Sequence, residues 1–334
     1  MSAPPRLERA LDDVRRRWVP DRRLGVFDVE IAGERLDGCV SSRDALEALR
    51  RLAADAGLGE AVRLLPDASV GDDSAAVVTA AIAPLLGQPT LRAPRVSECL
   101  HGESLALLER RGDWLRVRAG DGYHGWLHAG YVGLGPGEWA EDWITRATAR
   151  SVGVEIVFAE GRLRLPVGAR VALGHRGGVE TADGRHGGIA EGEVRPEGEL
   201  RAEARHLSPP ELGLRWFSGA PYLWGGRTEW GIDCSGFAQA VYAARGLTLL
   251  RDSDQQVSQG REVAIAAGGA GYESGDLLFF AEEGKVSHVA LWLGAGRIAH
   301  SALSRGGVAV DDLTAQTPLA KRLRDQLVAV RRIV

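Results

Sequence analysis

The sequence PYLWGGRTEWGIDCSGFAQAV, residues 221–241, contains the clearest structural signal in the chain. The glycines ahead of Cys234 permit tight turns that other residues resist. Asp233 is a good N-cap, and the apolar spacing of SGFAQAVYAARG predicts a helix that ends at Gly246. Cys234 is therefore expected in the first turn of a helix that packs against a core.

This position gives Cys234 a chemical environment that an ordinary cysteine lacks. A helix N-terminus presents unpaired N–H groups and a partial positive charge, which should lower the pKa of the thiol. The same N–H groups can hold a developing oxyanion. A free cysteine is more often a small buried hydrophobe, and we keep that interpretation for Cys39 and Cys99. At Cys234 the glycines, the cap and the helix start favour a nucleophile.

A second stretch, residues 274–301, reads SGDLLFFAEEGKVSHVALWLGAGRIAHS and predicts three strands. The short LGAGR turn favours a hairpin, which would put His288 and His300 at corresponding ends of consecutive strands. A thiol nucleophile needs a base within hydrogen-bond reach and a third group that fixes the tautomer of that base. We assign His288 as the base and His300 as its orienting partner, because the chain has no asparagine for the third position. The six other histidines are expected to be structural.

Three further polar side chains lie within or between these two stretches. Tyr222 precedes the nucleophile, where its hydroxyl would reach an oxyanion or the substrate backbone, or where its ring would only pack. Ser253, within RDSDQQ, would cap a second helix or touch substrate, and the two roles are compatible. Asp233 would cap the nucleophile helix and also meet a cationic amine.

The rest of the chain predicts three smaller domains ahead of residues 209–334. Residues 1–87 combine a charged helix, a strand and a second helix capped by Ser42, which is the pattern of a small α+β domain. Residues 88–136 contain short alternating strands broken by Gly, Asp and Pro, which predicts a small antiparallel barrel. Residues 137–208 are again rich in strands and turns, and we interpret them as a second, degenerate barrel.

Composition limits the classes of function. The 334 residues are 26% charged with a net charge of −4, so the basic face of a nucleic-acid binder is not expected. Three widely spaced cysteines without a CxxC pair argue against a zinc site or a disulfide framework, and we expect no metal and no cofactor. The N-terminus lacks an apolar signal segment, and the apolar run 75–87 is too short to span a bilayer. We therefore expect a cytoplasmic protein without membrane insertion; export and the oligomeric state are left open.

Six motifs, in this order, resemble the NlpC family of bacterial cell-wall cysteine peptidases: PYLWGG, DCSGF, RDSDQQ, GDLLFF, SHVALWLG and IAHS. The resemblance covers residues 211–313, and GDWLRV with GYHGWLHAGYV resembles the bacterial Src-homology-3-like modules that accompany such enzymes. It implies an α+β fold, in which a papain-like peptidase domain follows two Src-homology-3-like barrels and the N-terminal α+β domain. It also implies a Cys–His–His triad, formed here by Cys234, His288 and His300.

The same resemblance implies a substrate. It indicates hydrolysis of the bond between γ-D-glutamate and a diamino acid in murein stem peptides, with preference for a free N-terminal L-Ala. The upstream barrels and the lack of an apolar signal segment favour a role in recycling or turnover of released peptides. The implied substrate-binding residues are Tyr222, Asp233, Ser235 and Ser253, with Glu98 and Tyr123 at the amine and Glu103 as a rival to Glu98. Two alternatives stay open: an amidase or acyltransferase of the same fold, and a non-catalytic wall-binding protein.

Overall fold

The computed structural model describes residues 5–174 and 177–334. They divide into two compact units, each built from separate segments of the chain. The first lies within Met1–Val77, Leu85–Pro94 and Ser104–Ala140, and the second within Val78–Pro84, Arg95–Glu103 and Glu141–Val334.

The described residues form helices and strands in a mixed order. The helices are α1 (Pro5–Trp18), α2 (Arg43–Asp55), α3 (Gly137–Arg146), α4 (Glu197–His206), α5 (Pro209–Phe217), α6 (Cys234–Ala244), α7 (Ser253–Gln256) and α8 (Pro318–Gln326). The strands are β1 (Phe27–Ala32), β2 (Arg35–Val40), β3 (Gly59–Leu64), β4 (Ala75–Val78), β5 (Ile82–Leu86), β6 (Arg95–Leu100), β7 (Ser104–Arg111), β8 (Trp114–Arg118), β9 (His124–His128), β10 (Val132–Gly135), β11 (Ala149–Phe158), β12 (Gly161–Leu165), β13 (Arg170–Leu173), β14 (Val179–Glu180), β15 (His186–Pro196), β16 (Arg227–Thr228), β17 (Gly231–Ile232), β18 (Arg261–Val263), β19 (Leu277–Glu282), β20 (Lys285–Gly294), β21 (Arg297–Ala302), β22 (Gly307–Asp312) and β23 (Leu327–Arg332). Within residues 5–174 and 177–334, no helix has both the length and the apolar character needed to cross a membrane.

In the first unit, β1, β2 and β3 form a small sheet that packs with α1 and α2. β2 pairs antiparallel with β1 and parallel with β3, and α2 makes the crossover between the parallel strands. Ser42 caps α2 by accepting a hydrogen bond from the Ala45 N–H, which confirms the predicted cap. Helical spacing turns Leu46 and Leu49 toward the sheet, where they are buried with Leu36.

The same unit contains the antiparallel ladder of β7, β8 and β9. Leu107 faces Val117 across one pair of strands, and Leu115 faces Leu127 across the other. All four side chains are buried, because side chains of alternate residues share one face of a strand. This ladder lies in the segment for which the sequence predicts the first barrel.

In the second unit, the strands after α3 form a sheet that closes on itself. β11 pairs with β13 and with β15, and β14 joins those two strands. The enclosed core contains Val154, Ile156, Leu165 and Val171. The sheet lies in the region of the predicted second barrel, whose boundaries at 137 and 208 stay a prediction.

The C-terminal part of the second unit is a six-stranded antiparallel sheet in the order β18-β23-β19-β20-β21-β22. One face packs on α6, with Phe237 against Phe279 and Leu291, and the other face packs on α8 through Leu323. Since β19 is covered on both faces, its sequence LLFF is apolar without alternation. The polar residues His288, His300 and Asp311 lie on the three adjacent strands β20, β21 and β22.

Candidate active site

Cys234 is the first residue of α6, as predicted. Asp233 is the N-cap, and its carboxylate accepts a hydrogen bond from the Gly236 N–H at 2.6 Å. The preceding turn lies so close that a Cβ on Gly236 would come within 2.3 Å of the Gly226 carbonyl oxygen. Glycine is therefore required at this point for the chain to reach the helix start with the thiol in place.

Two histidines and a carboxylate form a hydrogen-bonded chain across three neighbouring strands. His288 Nε2 lies 2.8 Å from His300 Nδ1, and His300 Nε2 lies 3.0 Å from Asp311 Oδ2. The Asp311 carboxylate only accepts, so His300 Nε2 carries a proton and His300 Nδ1 accepts from His288 Nε2. This assignment of tautomers leaves His288 Nδ1 without a proton, which is the form that a general base requires.

The thiol lies beside the first of these strands. The backbone N–H of Val289, the residue after His288, hydrogen-bonds with the sulfur of Cys234. The helix that begins at Cys234 packs against β20 and β21, the strands that carry His288 and His300. The structure thus joins His288 and His300 directly and places Cys234 against the residue that follows His288.

Asp311 completes the hydrogen-bonded chain of the two histidines, and the sequence did not predict this role. The backbone of His300 pairs with Ala309 on β22, so Asp311, two residues further on, lies on the same side of the sheet. Its second oxygen forms an ion pair with the Arg305 guanidinium, at an N–O distance of 3.0 Å. The strand that follows the IAHS motif carries an acidic residue, Asp311, at a position that alternation turns to the same side as His300. That pattern could have predicted the role of Asp311.

Burial sets the charge states of Cys234 and His288 in the resting protein. Burial, followed by the nearby Asp233 carboxylate, raises the pKa of the Cys234 thiol to about 12. Burial, followed by the neighbouring His300, lowers the pKa of His288 to about 3. The expectation of a lowered thiol pKa was wrong, because desolvation outweighs the helix N-terminus at this depth. The uncharged thiol and imidazole are favoured at neutral pH, and both charges arise together when the proton moves.

The Asp233 carboxylate is held by a buried arginine. Arg251 donates to its two oxygens at 3.0 and 2.7 Å, and also to Ser235 Oγ at 2.9 Å. The Gly225 N–H donates to the same carboxylate at 2.8 Å. With these partners in place, Asp233 supports the loop and the helix start, and the predicted contact with a substrate amine has no free carboxylate oxygen to use.

The other residues predicted at the substrate lie around the same helix start. Ser253 begins α7 and is buried, but the N-cap of that helix is Asp252, so the predicted cap at Ser253 was wrong. Ser235 is buried between Asp233 and the guanidinium described above. Tyr222 is half-buried, and burial raises the pKa of its hydroxyl, which therefore stays a hydrogen-bond donor at neutral pH.

A cavity of about 450 Å³ opens beside the histidines. Tyr222, His288 and His300 form one part of its wall. Its remaining lining residues are Phe280, Glu282, Ser287, Ala302, Leu303, Ser304, Leu319, Arg322, Leu323 and Gln326. Its size is that of sites for small ligands, and the lining mixes apolar walls with a few polar groups.

The residues predicted at the substrate amine belong to different units. Glu98 lies in the second unit, where it is buried and accepts from Arg95 at 2.8 Å and from the Arg227 backbone N–H at 2.7 Å. Its rival Glu103 binds the Arg227 guanidinium through both oxygens. Tyr123 lies in the first unit, where its side chain is buried. Their roles at a substrate amine stay predictions.

One of the histidines expected to be structural has a well-defined role in the fold. His101 is fully buried, with Nδ1 3.0 Å from the Thr79 carbonyl oxygen and Nε2 accepting from the Ala182 N–H. Its hydrogen bonds join loops of the second unit. His175 lies outside the described residues.

Replacing Asp311 with asparagine should reduce kcat/KM about tenfold to a hundredfold, the usual effect of losing an outer hydrogen-bond partner. The Asp311 charge raises the pKa of His288, so its loss should also move the acid limb of the pH profile to lower pH. Peptide hydrolysis measured against pH tests both effects, with Asp312→Asn as the control because that neighbour is exposed and binds only its own turn through Thr314. An unmoved acid limb, or equal losses in the two variants, would show that Asp311 does not position the histidines.

The fold, the cysteine at a helix start and the His–His–Asp chain are those of a papain-like cysteine peptidase site, and comparison with known families confirms that class. Residues 219–326 match the NlpC/P60 family, and residues 85–130 match the bacterial dipeptidyl-peptidase Sh3 domain. The chain therefore carries a peptidase domain of the NlpC/P60 family together with a bacterial Src-homology-3 domain, as the resemblance implied.

Three curated relatives are similar to this chain in sequence. The chain is 39% identical to the γ-D-glutamyl-L-lysine dipeptidyl-peptidase of Bacillus subtilis over 35% of its length, which is 38% of that protein. It is 26% identical to the Bacillus cereus enzyme of the same name over 61% of its length, 66% of that protein. It is 28% identical to dipeptidyl-peptidase 6 of Lysinibacillus sphaericus over 74% of its length, 94% of that protein. The chain thus spans less than two thirds of the first two relatives.

Solved structures confirm the fold. An NlpC/P60 family protein from Bacillus cereus superposes with a TM-score of 0.63 at 20% identity, over 78% of this chain and 99% of that one. An NlpC/P60 endopeptidase from Photobacterium damselae gives a TM-score of 0.57 at 13% identity, over 79% of this chain and 72% of that one.

Proposed function

We propose that this protein is a cysteine peptidase that hydrolyses the γ-D-glutamyl–diamino acid bond of murein stem peptides. The observation that carries the proposal is the hydrogen-bonded chain from His288 through His300 to Asp311, set beside a capped cysteine and a cavity. Two relatives named γ-D-glutamyl-L-lysine dipeptidyl-peptidase support the choice of bond.

The proposed reaction is acyl transfer through a thioester. Cys234 Sγ attacks the γ-carbonyl carbon while His288 Nδ1 takes the thiol proton. The positive charge that develops on His288 is stabilised by His300, whose own proton is held by Asp311. Backbone N–H groups at the start of α6 and the Tyr222 hydroxyl are the proposed donors to the oxyanion.

Breakdown of the tetrahedral intermediate uses the same proton. His288 returns it to the amine nitrogen of the diamino acid, which leaves as the C–N bond breaks and the thioester forms. Water then attacks the thioester with His288 again as base, and the second product leaves with a free γ-carboxylate. No cofactor enters this scheme, since the nucleophile, base and proton donor all belong to the chain.

Linkage isomers test the bond specificity. We expect L-Ala-γ-D-Glu-L-Lys to be hydrolysed and the isomer joined through the α-carboxylate to survive, because the two isomers present the scissile carbonyl at different distances from the chain branch. Product analysis by liquid chromatography and mass spectrometry distinguishes them. Equal hydrolysis of both isomers would point to a general peptidase or amidase.

A free N-terminal L-Ala is the second part of the proposal. Glu98 is an anchored acidic group of the second unit, held by Arg95 and by the Arg227 backbone, and it is a proposed partner of the substrate amine. The resemblance to the family also proposes Tyr123 for this role. N-acetylation of the peptide removes the cation and should lower kcat/KM by at least tenfold, the contribution of one charged hydrogen bond. Equal hydrolysis of the acetylated peptide would remove Glu98 and Tyr123 from the site and leave the peptidase intact.

A role in recycling follows from this requirement, because stem peptides still attached to glycan have no free N-terminal amine. Since released peptides are recycled inside the cell, we also propose that the enzyme works in the cytoplasm. Fractionation of the native host, with antibody detection of the protein, tests the location. Recovery from the medium or the cell wall would overturn the recycling role and leave the chemistry unaffected.

A further inference from the structure

Two opposite charges line the cavity beside the histidines. Arg322 extends from α8 and Glu282 stands at the end of β19, and both side chains are exposed. Among residues 5–174 and 177–334, neither makes an ion pair or a side-chain hydrogen bond. Since they are not paired with each other either, both charges are available to a molecule in the cavity.

This arrangement is unusual for the surface of this chain, where arginines commonly pair with neighbouring carboxylates. On α8 itself, Arg324 donates to the carbonyl oxygens of Leu313 and Ala315. On β23, Arg332 binds Asp276 through two nitrogens. An arginine that faces a catalytic cavity without a partner is therefore suited to an anion brought by the ligand.

We propose that Arg322 and Glu282 select a diamino acid whose side chain ends in both a carboxylate and an ammonium group, as in meso-diaminopimelate, over lysine. The inference rests on the proposed function and concerns the residue that leaves in the first step. Arg322 binds the distal carboxylate and Glu282 binds the distal ammonium. Lysine presents only the ammonium, so it satisfies Glu282 and leaves Arg322 unpaired.

Other residues that line the cavity fit the rest of such a side chain. Phe280, Leu319 and Leu323 supply apolar surface for its methylene carbons. Ser287, Ser304 and Gln326 line the same cavity and offer neutral hydrogen-bonding groups. Two relatives are named for a lysine substrate, so this preference would distinguish the present chain from them.

The test is the ratio of kcat/KM for L-Ala-γ-D-Glu-meso-diaminopimelate to that for L-Ala-γ-D-Glu-L-Lys. We expect a ratio of about ten or more in the wild type, the low end of what a charge-assisted hydrogen bond contributes. Arg322→Gln should bring the ratio to within about threefold of unity. The matched control is Lys321→Gln, which removes a charge from the adjacent, exposed position of α8 outside the cavity lining.

The ratio isolates binding from chemistry. Arg322 also lowers the pKa of His288, so its removal alters the base in every reaction. Because both peptides share the scissile bond, the change in the pKa of His288 cancels in the ratio of their kcat/KM values. Glu282→Gln should raise KM for both peptides alike, because both carry the distal ammonium, whereas Glu283→Gln should leave both unchanged.

The possible outcomes distinguish a failure of the proposed selectivity from a failure of the proposed peptidase function. A ratio near one in the wild type, or a ratio that survives Arg322→Gln, overturns the selectivity and leaves the peptidase standing. Equal losses for both peptides in Arg322→Gln would mean that the arginine acts on His288 or on a group that both peptides share, and would also overturn the selectivity. Hydrolysis of neither peptide would overturn the proposed function itself.

Discussion

Replacing Cys234 with alanine should abolish peptide hydrolysis, with a loss of kcat/KM of at least about 10⁴-fold. Removing the nucleophile of a covalent catalytic group leaves only transition-state binding by the surrounding dipoles, and such losses reach about 10⁶-fold. The substitution should leave the fold unchanged, since it removes one sulfur atom at a helix start whose cap is Asp233.

The measurement is hydrolysis of L-Ala-γ-D-Glu-L-Lys at enzyme concentrations high enough to detect slow turnover. Cys39→Ala is the matched control, because Cys39 is also a free, buried cysteine but belongs to the core of the first unit. We expect the control to retain wild-type activity. Residual activity of Cys234→Ala within a hundredfold of wild type would exclude the thioester route.

Replacing Arg251 with methionine should lower the free energy of unfolding by about 3–5 kcal/mol, the usual cost of breaking a buried ion pair from one side. The Arg251 side chain is fully buried, and it binds Asp233, Ser235 and Ser97 Oγ. Methionine fills a similar volume but leaves the Asp233 charge without its main partner. Activity should fall with stability, because the same carboxylate holds the loop and the cap that place Cys234.

Chemical denaturation followed by tryptophan fluorescence measures this effect. Arg261→Met is the control, since Arg261 is exposed and its substitution should change the unfolding free energy by less than about 0.5 kcal/mol. Arg251→Lys keeps the positive charge without the bidentate geometry, and should lie between wild type and Arg251→Met. A change below 1 kcal/mol for Arg251→Met would show that the pair contributes little to the fold.

The parts of the site that the sequence predicted depend on local patterns. Asp233, the following small residues and Gly246 specify one helix within fourteen positions, and the structure places that helix at Cys234–Ala244. The two histidines were predictable because a tight turn joins their strands and sets the register, so that His288 and His300 meet.

The parts that were missed depend on contacts between distant positions. Asp311 contacts His300 because β22 pairs with β21. Arg251 contacts Asp233 because the segment after α6 folds back onto the start of that helix. Neither pairing follows from the spacing of residues along one element. The predicted direction of the shift in the Cys234 pKa was wrong for a similar reason, since the depth of burial at Cys234 is a property of the assembled core.

The most direct test of the central claim is the identity of the products formed from L-Ala-γ-D-Glu-meso-diaminopimelate by the purified protein, read by mass spectrometry. The account predicts L-Ala-D-Glu and free meso-diaminopimelate in equal amounts from the wild type, and intact peptide with Cys234→Ala. Release of free L-Ala, or an intact peptide with the wild type, would contradict it.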